Sequence, residues 1–313
     1  MQIHKRHILN LASYLVLAVA FLFLLIKFWQ GRAAIQELHL APWMLRDFFI
    51  CSALYTLNAT FVIFAWYRLL IFFGEKNPKF KDCYTIYAKS QIARYIPGNI
   101  FHVPARHIAG HNLGYKHGPL AGAAIYEIFG TVLMSGIIVM IGYLTFNITI
   151  QQVSSLQITV VLVVAFFLPV IFNKVAPYIP VIETQYLLNK KSLQVIRELT
   201  PIFFLYGIFF VILGSIFVYV ADSFSRLNAF NDMGKIFTAF IVSVAAGFVT
   251  PGAPGGLGVR EAVMVYLLGD LIGQKESLEV AIFFRSVTVF GDMLLFMIPI
   301  IIRMIISARK VDA

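Results

Sequence analysis

Charge is scarce in this sequence. Asp, Glu, Lys and Arg make up 13% of its 313 residues, where a soluble domain carries about a quarter. That scarcity excludes a chain whose surface is mostly solvated by water. The acids are fewest, 15 against 25 Lys and Arg. No basic, aromatic-rich domain stands outside the apolar blocks to receive a nucleic acid, so the net charge of +10 is read as a report of membrane orientation. Cysteine is nearly missing as well. Cys51 and Cys83 cannot supply a disulfide framework. They are expected to be small packing residues, Cys51 in an apolar block and Cys83 in a basic loop.

What is present is apolar, 60% of the chain, in blocks that ignore amphipathic period. A spanning helix needs about 20 apolar residues for roughly 30 Å of hydrocarbon. Six segments meet or approach that length: Leu9–Trp29, Met44–Phe73, Pro119–Phe146, Leu156–Phe172, Pro201–Ala221 and Leu278–Ile302. The first follows Lys5 and Arg6 but lacks a small-x-small cleavage site after it, so an uncleaved span is expected.

Two further apolar segments are interrupted. Tyr84–Gly110 is broken at Pro97-Gly98, and Lys235–Ile272 at Thr250-Pro-Gly-Ala-Pro-Gly-Gly-Leu-Gly258. Proline removes a helical donor and glycine weakens the helix. In lipid such a break is tolerated only where protein or a watery cavity covers it. The helix before each break reaches ~20 Å, past mid-bilayer but not across. Both segments are therefore expected to be re-entrant hairpins.

Six spans and two hairpins put both termini on one side. With the N-terminus inside, 17 of the 25 basic residues collect there and six outside, as the positive-inside rule requires. The order of elements then repeats. Residues 1–150 and residues 151–313 each read span, span, broken hairpin, span, and three crossings in the first half invert the second. Ala124-Ile-Tyr-Glu127 and Ala281-Ile-Phe-Phe-Arg285 echo one another at matching distances from Pro97 and Pro254. The expected fold class is an all-α polytopic membrane protein of two inverted repeats, with a substrate site where the broken segments meet.

The residues around the breaks suit an anion. In Ala93-Arg-Tyr-Ile-Pro-Gly-Asn-Ile-Phe-His-Val-Pro-Ala-Arg106, either Asn99 caps the returning helix or the helix restarts near Pro104. Either way Arg94, Asn99, His102 and Arg106 stand near a helix N-terminus, a natural phosphate site. In the second break Gly256 and Gly258 leave the backbone open to close approach. Arg260 and Glu261 follow in the first turn of the returning helix, where a carboxylate meets the dipole favourably and a cation needs a partner. Glu127, Arg285 and Asp292 lie deep in apolar blocks and are expected to form a charge network, Arg285 pairing with Glu127, Asp292 or Glu261, with one acid left over to take up a proton.

With these motifs, Arg-Tyr-Ile-Pro-Gly-Asn-Ile-Phe-His-Val-Pro-Ala-Arg and, some 150 residues on, Pro-Gly-Gly-Leu-Gly-Val-Arg-Glu-Ala, the chain resembles the lysylphosphatidylglycerol synthase transmembrane region family. That family includes the flippase half of the bacterial multiple peptide resistance factor. Pro97, Gly98, Arg106, Pro254, Gly256, Gly258 and Glu261 match its signature positions. The resemblance implies a lipid translocase of the bacterial inner membrane with cytoplasmic termini, moving an anionic phospholipid or a polyprenyl-phosphate-linked group. The 313 residues hold no counterpart of the aminoacyl-transferase domain of bifunctional members, so synthesis of a lysyl-lipid is not expected of them.

Two alternatives stay open: a scaffold working beside envelope-glycan enzymes, and a membrane lipid-phosphate enzyme using His102 or His107. No paired acid or phosphate-loop signature supports the enzyme, and no cofactor is expected. His102, His107, His111 and His117 are expected near the inner interface, without the carboxylate or thiolate that would complete a metal site. Asn173–Thr200, with Lys190, Lys191 and Arg197, is expected as an amphipathic surface segment.

Overall fold

The computed structural model describes residues 42–95, 101–146, 192–225, 230–249 and 258–311. They are helices and turns, with no strand among them. We label the helices α1 (Pro42–Phe72), α2 (Phe80–Gln91), α3 (His102–Asn112), α4 (His117–Phe146), α5 (Ser192–Ser225), α6 (Phe230–Val249), α7 (Val259–Ile272) and α8 (Gln274–Val311). A short 3-10 turn, Ile92–Tyr95, extends α2. The protein is all-α, and four helices (α1, α4, α5 and α8) are long and apolar enough to cross a membrane. They coincide with four of the expected spans. The other two, 9–29 and 156–172, lie outside the described residues.

Three local expectations change. α5 begins at Ser192, so residues 192–200 are its first turns and not a separate surface segment, while 173–191 of that expected segment lie outside the described residues, and Pro201 lies inside the helix. Proline there leaves one carbonyl without its helical donor; the Thr200 hydroxyl donates to the Ile196 carbonyl in the same turn, at 2.8 Å. α6 starts at Phe230 and spans 20 residues, or ~30 Å, longer than the half-crossing expected of it. Cys83 is fully buried in α2, its thiol 3.9 Å from the Tyr115 hydroxyl, because the chain re-enters helix at Phe80 and turns that face inward.

Two apolar clusters organise the packing. The first gathers Trp66, Leu70, Tyr87, Leu120 and Tyr126 from α1, α2 and α4, and is closed by Tyr206 of α5. The second gathers Phe210, Phe217, Phe240 and Phe284 from α5, α6 and α8. Phe217 stacks on Phe240 at 4.3 Å between centroids, and Phe284 meets both edge-on. α1 and α5 run through both clusters and so join them.

α1 and α8 meet through small residues. Ser52 donates to the Val287 carbonyl and Thr56 to the Gly291 carbonyl, at 3.2 and 3.0 Å. In lipid the apolar surface of a helix gains little by hiding from its neighbours, so close backbone approach and such bonds hold helices together. A Cβ on Gly291 would stand 3.2 Å from the Ser52 carbonyl oxygen and press on the Tyr55 ring. We expect Gly291→Leu to overpack this seam by about 1–3 kcal/mol, lowering the thermal midpoint of the detergent-solubilised protein. An unchanged midpoint would show that the seam is loose.

Candidate functional site

Residues flanking both breaks, Arg94 and Tyr95 before the first and Phe248 and Arg260 on either side of the second, line a common cavity. It is lined by Tyr55, Arg94, Tyr95, Arg260, Arg285 and Asp292 on its polar side and by Phe209, Phe240, Phe248 and Phe284 among its apolar residues. The space free of atoms is about 420 Å³, part of it open to the outside.

Asp292 anchors one wall. It is fully buried in α8 and accepts hydrogen bonds from the Tyr55 hydroxyl of α1 at 3.0 Å and the Tyr95 hydroxyl at 2.6 Å. Arg94, in the last turn before the first break, approaches the same carboxylate at 3.5 Å. With its amide oxygen turned to the guanidinium, Gln91 accepts from both Arg94 terminal nitrogens at 3.1 Å. A carboxylate in such a place costs several kcal/mol unless paired and hydrogen-bonded, and here two chain segments, α1 and the 3-10 turn, supply three partners.

The second wall comes from α7 and α8. Gly258 takes φ +87°, a left-handed conformation that favours glycine, and leads into α7. Its N–H donates to Glu261 Oε2 at 2.7 Å, while Oε1 of the same carboxylate lies 3.7 Å from Arg285. Glu261 therefore caps its own helix and also ties α7 to α8. Arg285 lies over the Tyr95 ring, 5.7 Å from its centroid. Arg260 differs. Its guanidinium lies over Phe248 at 5.2 Å, its stem runs against Gly247, and its Nε finds no hydrogen-bond partner among the described residues.

Arg106 does not line this cavity. It is buried beneath α4, paired with Glu127, with Nε donating to Ser90 at 3.2 Å. The guanidinium lies 3.6 Å from the centroid of Tyr87 and 5.5 Å from that of Trp66, and Tyr87 donates to Glu127 at 2.8 Å. The surroundings of Arg106 are Glu127, Ser90 and the two aromatic rings, with Nη2 left without a hydrogen-bond partner among the described residues. His102 begins α3, half-buried, and its Nδ1 has no hydrogen-bond partner among the described residues. α3 starts at His102, which puts Pro104 in its first turn, where the missing N–H costs nothing. Asn99 and Gly256 lie outside the described residues.

The deep charges thus form three pairs: Arg94 with Asp292, Arg106 with Glu127 and Arg285 with Glu261. Glu127 and Arg285, expected in one charge network, take separate partners, and of the three acids expected for Arg285 it is Glu261 that lies beside it. No acid is left over among these residues; the group in excess is a cation, Arg260. The tyrosines were missed in the sequence. Tyr95 sits inside the first motif and could have been singled out beside Arg94, but Tyr55 lies in an apolar run with no local signal.

His107, His111 and His117 form a separate group at the α3–α4 junction. His107 Nε2 lies 2.8 Å from His117 Nδ1, and the His111 and His117 rings stack at 3.9 Å. The rings face one another, and no group of three or more His, Cys, Asp or Glu among the described residues could hold a metal.

Comparison with protein-family models and with curated proteins finds no match for the chain.

Two expectations follow from these contacts. Arg106→Gln should cost about 3–5 kcal/mol, because it strands Glu127 in a buried site, whereas Arg260→Gln, which strands no partner, should leave the thermal midpoint unchanged or raised. Equal losses would contradict the distinction. His107 is held below the usual histidine range by burial and then by His117 and His111. Its unfolded form, with an ordinary value of about 6.5, takes up a proton first as the pH falls. Stability should therefore decline with falling pH through the window just below that value, and His107→Gln should flatten the decline in thermal scans at pH 7 and below.

Proposed function

We propose that this protein is a membrane lipid translocase that moves an anionic lipid, either a phospholipid or a polyprenyl-phosphate-linked group, across the bacterial inner membrane, with both termini cytoplasmic. The observation that carries this reading is the arginine-lined cavity shared by residues that flank both breaks. Charges within a membrane protein's apolar blocks are expensive, roughly 2.5–3.5 kcal/mol each at a helix centre on insertion scales, and their retention points to a pathway or a site. Arg94, Arg260 and Arg285 offer guanidinium forks suited to phosphate oxygens. The aromatic wall beside them suits the apolar part of a lipid.

The two halves support the reading as inverted repeats. In the first, the returning helix α3 is tied to the next span by Arg106–Glu127; in the second, α7 is tied to α8 by Glu261–Arg285, with the signs exchanged. Paired broken segments that return against a long helix are an arrangement transporters use around a site near mid-bilayer. The motif resemblance to the lysylphosphatidylglycerol synthase transmembrane region family points the same way.

The test is transport in proteoliposomes, read as the loss of outer-leaflet fluorescence from acyl-labelled lipids on quenching. Arg260→Glu should abolish transport of anionic lipid while the protein remains folded in the membrane, because the phosphate would meet a repelling charge. Arg260→Lys should retain part of it, keeping charge but losing the fork. In cells, a single cysteine at Lys275 should react with an impermeant reagent from outside and one at Lys79 should not, in a background without Cys51 and Cys83. Full transport by Arg260→Glu would remove the role of the cavity, and outside labelling at 79 would overturn the orientation.

A further inference from the structure

The charge balance of the cavity narrows what it can hold, provided the translocation reading above is right. Arg94 is committed to Asp292 and Gln91, and Arg285 to Glu261. Arg260 meets no carboxylate within ion-pair distance among the described residues, and its Nε has no hydrogen-bond partner there. Among the described residues, three guanidinium groups against two carboxylates leave one positive charge. The two broken stretches, Ile-Pro-Gly-Asn-Ile at 96–100 and Thr-Pro-Gly-Ala-Pro-Gly-Gly-Leu at 250–257, lie outside the described residues and contain no ionisable side chain. They add nothing to this sum wherever they lie.

We infer that the cavity selects a lipid head group bearing a single negative charge, a phosphodiester of the phosphatidylglycerol type, over phosphomonoesters, diphosphates and zwitterions. In a low-dielectric site each uncompensated charge is costly. A phosphodiester carries one charge and balances Arg260. A phosphomonoester carries about 1.5 to 2 at neutral pH, its second ionisation lying near 6, and its extra charge has no partner unless Asp292 or Glu261 is displaced from its arginine. A zwitterionic head brings an ammonium into a cavity already positive by one. By this count a polyprenyl phosphate or diphosphate is disfavoured as cargo.

Purified full-length protein in proteoliposomes, supplied with acyl-labelled phosphatidylglycerol, phosphatidylethanolamine or phosphatidic acid, tests this directly. At about pH 7.5 phosphatidylglycerol should move about tenfold faster than either of the others. Lowering the pH to about 5.5 should bring phosphatidic acid toward the phosphatidylglycerol rate, since its second charge is then lost. Arg260→Gln should collapse the preference for phosphatidylglycerol to within about twofold of phosphatidylethanolamine, and Arg260→Lys should keep it. Phosphatidic acid moving as fast as phosphatidylglycerol at pH 7.5, or an unchanged preference in Arg260→Gln, would overturn the charge match and leave translocation standing. No lipid moving above protein-free vesicles would remove the translocation reading itself. Saturable binding of soluble glycerophosphoglycerol without lipid movement would assign the site to the free phosphodiester and overturn the lipid assignment.

Discussion

Asp292 is a carboxylate on an otherwise apolar stretch of helix, and most of the tertiary arrangement answers to the need to keep it satisfied. Two phenols and a guanidinium reach it, Tyr55 from α1 and Tyr95 and Arg94 from the 3-10 turn. Removing any one would leave a buried charge under-solvated, and the penalty for that exceeds the net gain of a typical hydrogen bond. The close α1–α8 seam at Ser52, Thr56 and Gly291 serves this contact by setting the height of Tyr55. The contact in turn fixes where the first broken segment stops, so Arg94 faces the cavity instead of the lipid.

The other two pairs show how similar chemistry can have opposite consequences. Arg106 and Glu127 are enclosed by Tyr87, Trp66 and Ser90 and form a closed unit. Glu261 and Arg285 sit at the margin of open space, and Glu261 divides its two oxygens between a helix cap and an ion pair. A filled cluster holds elements in place. A half-occupied one beside a cavity leaves room for the anionic ligand we propose to compete.

Much of the helical framework was legible because it rests on local properties. Runs of apolar residues about 20 long mark α1, α4, α5 and α8, and Pro-Gly dipeptides mark the interruptions, since both follow from what a single segment can do in lipid. Helix ends were read less well. α5 extends past Pro201 and α6 begins before Ile236, because neighbouring helices tolerate a proline and a polar first turn that an isolated segment would not.

The sequence by itself determined that this chain is helical and apolar, that its charges are few, and which residues carry them: each of these is a property of composition and short-range order. Which charge meets which was decided only by the tertiary structure. Arg106, Arg94 and Arg285 look alike in sequence, one basic residue near a break or within an apolar block. Their partners lie 21, 198 and 24 residues away in the chain, and Coulomb attraction in a low-dielectric interior depends on distance in space, not on position along the chain. The same is true of Tyr55, invisible in an apolar run until α8 is packed against it. It is true also of Arg260, whose excess charge exists only as the remainder once the other pairs have formed.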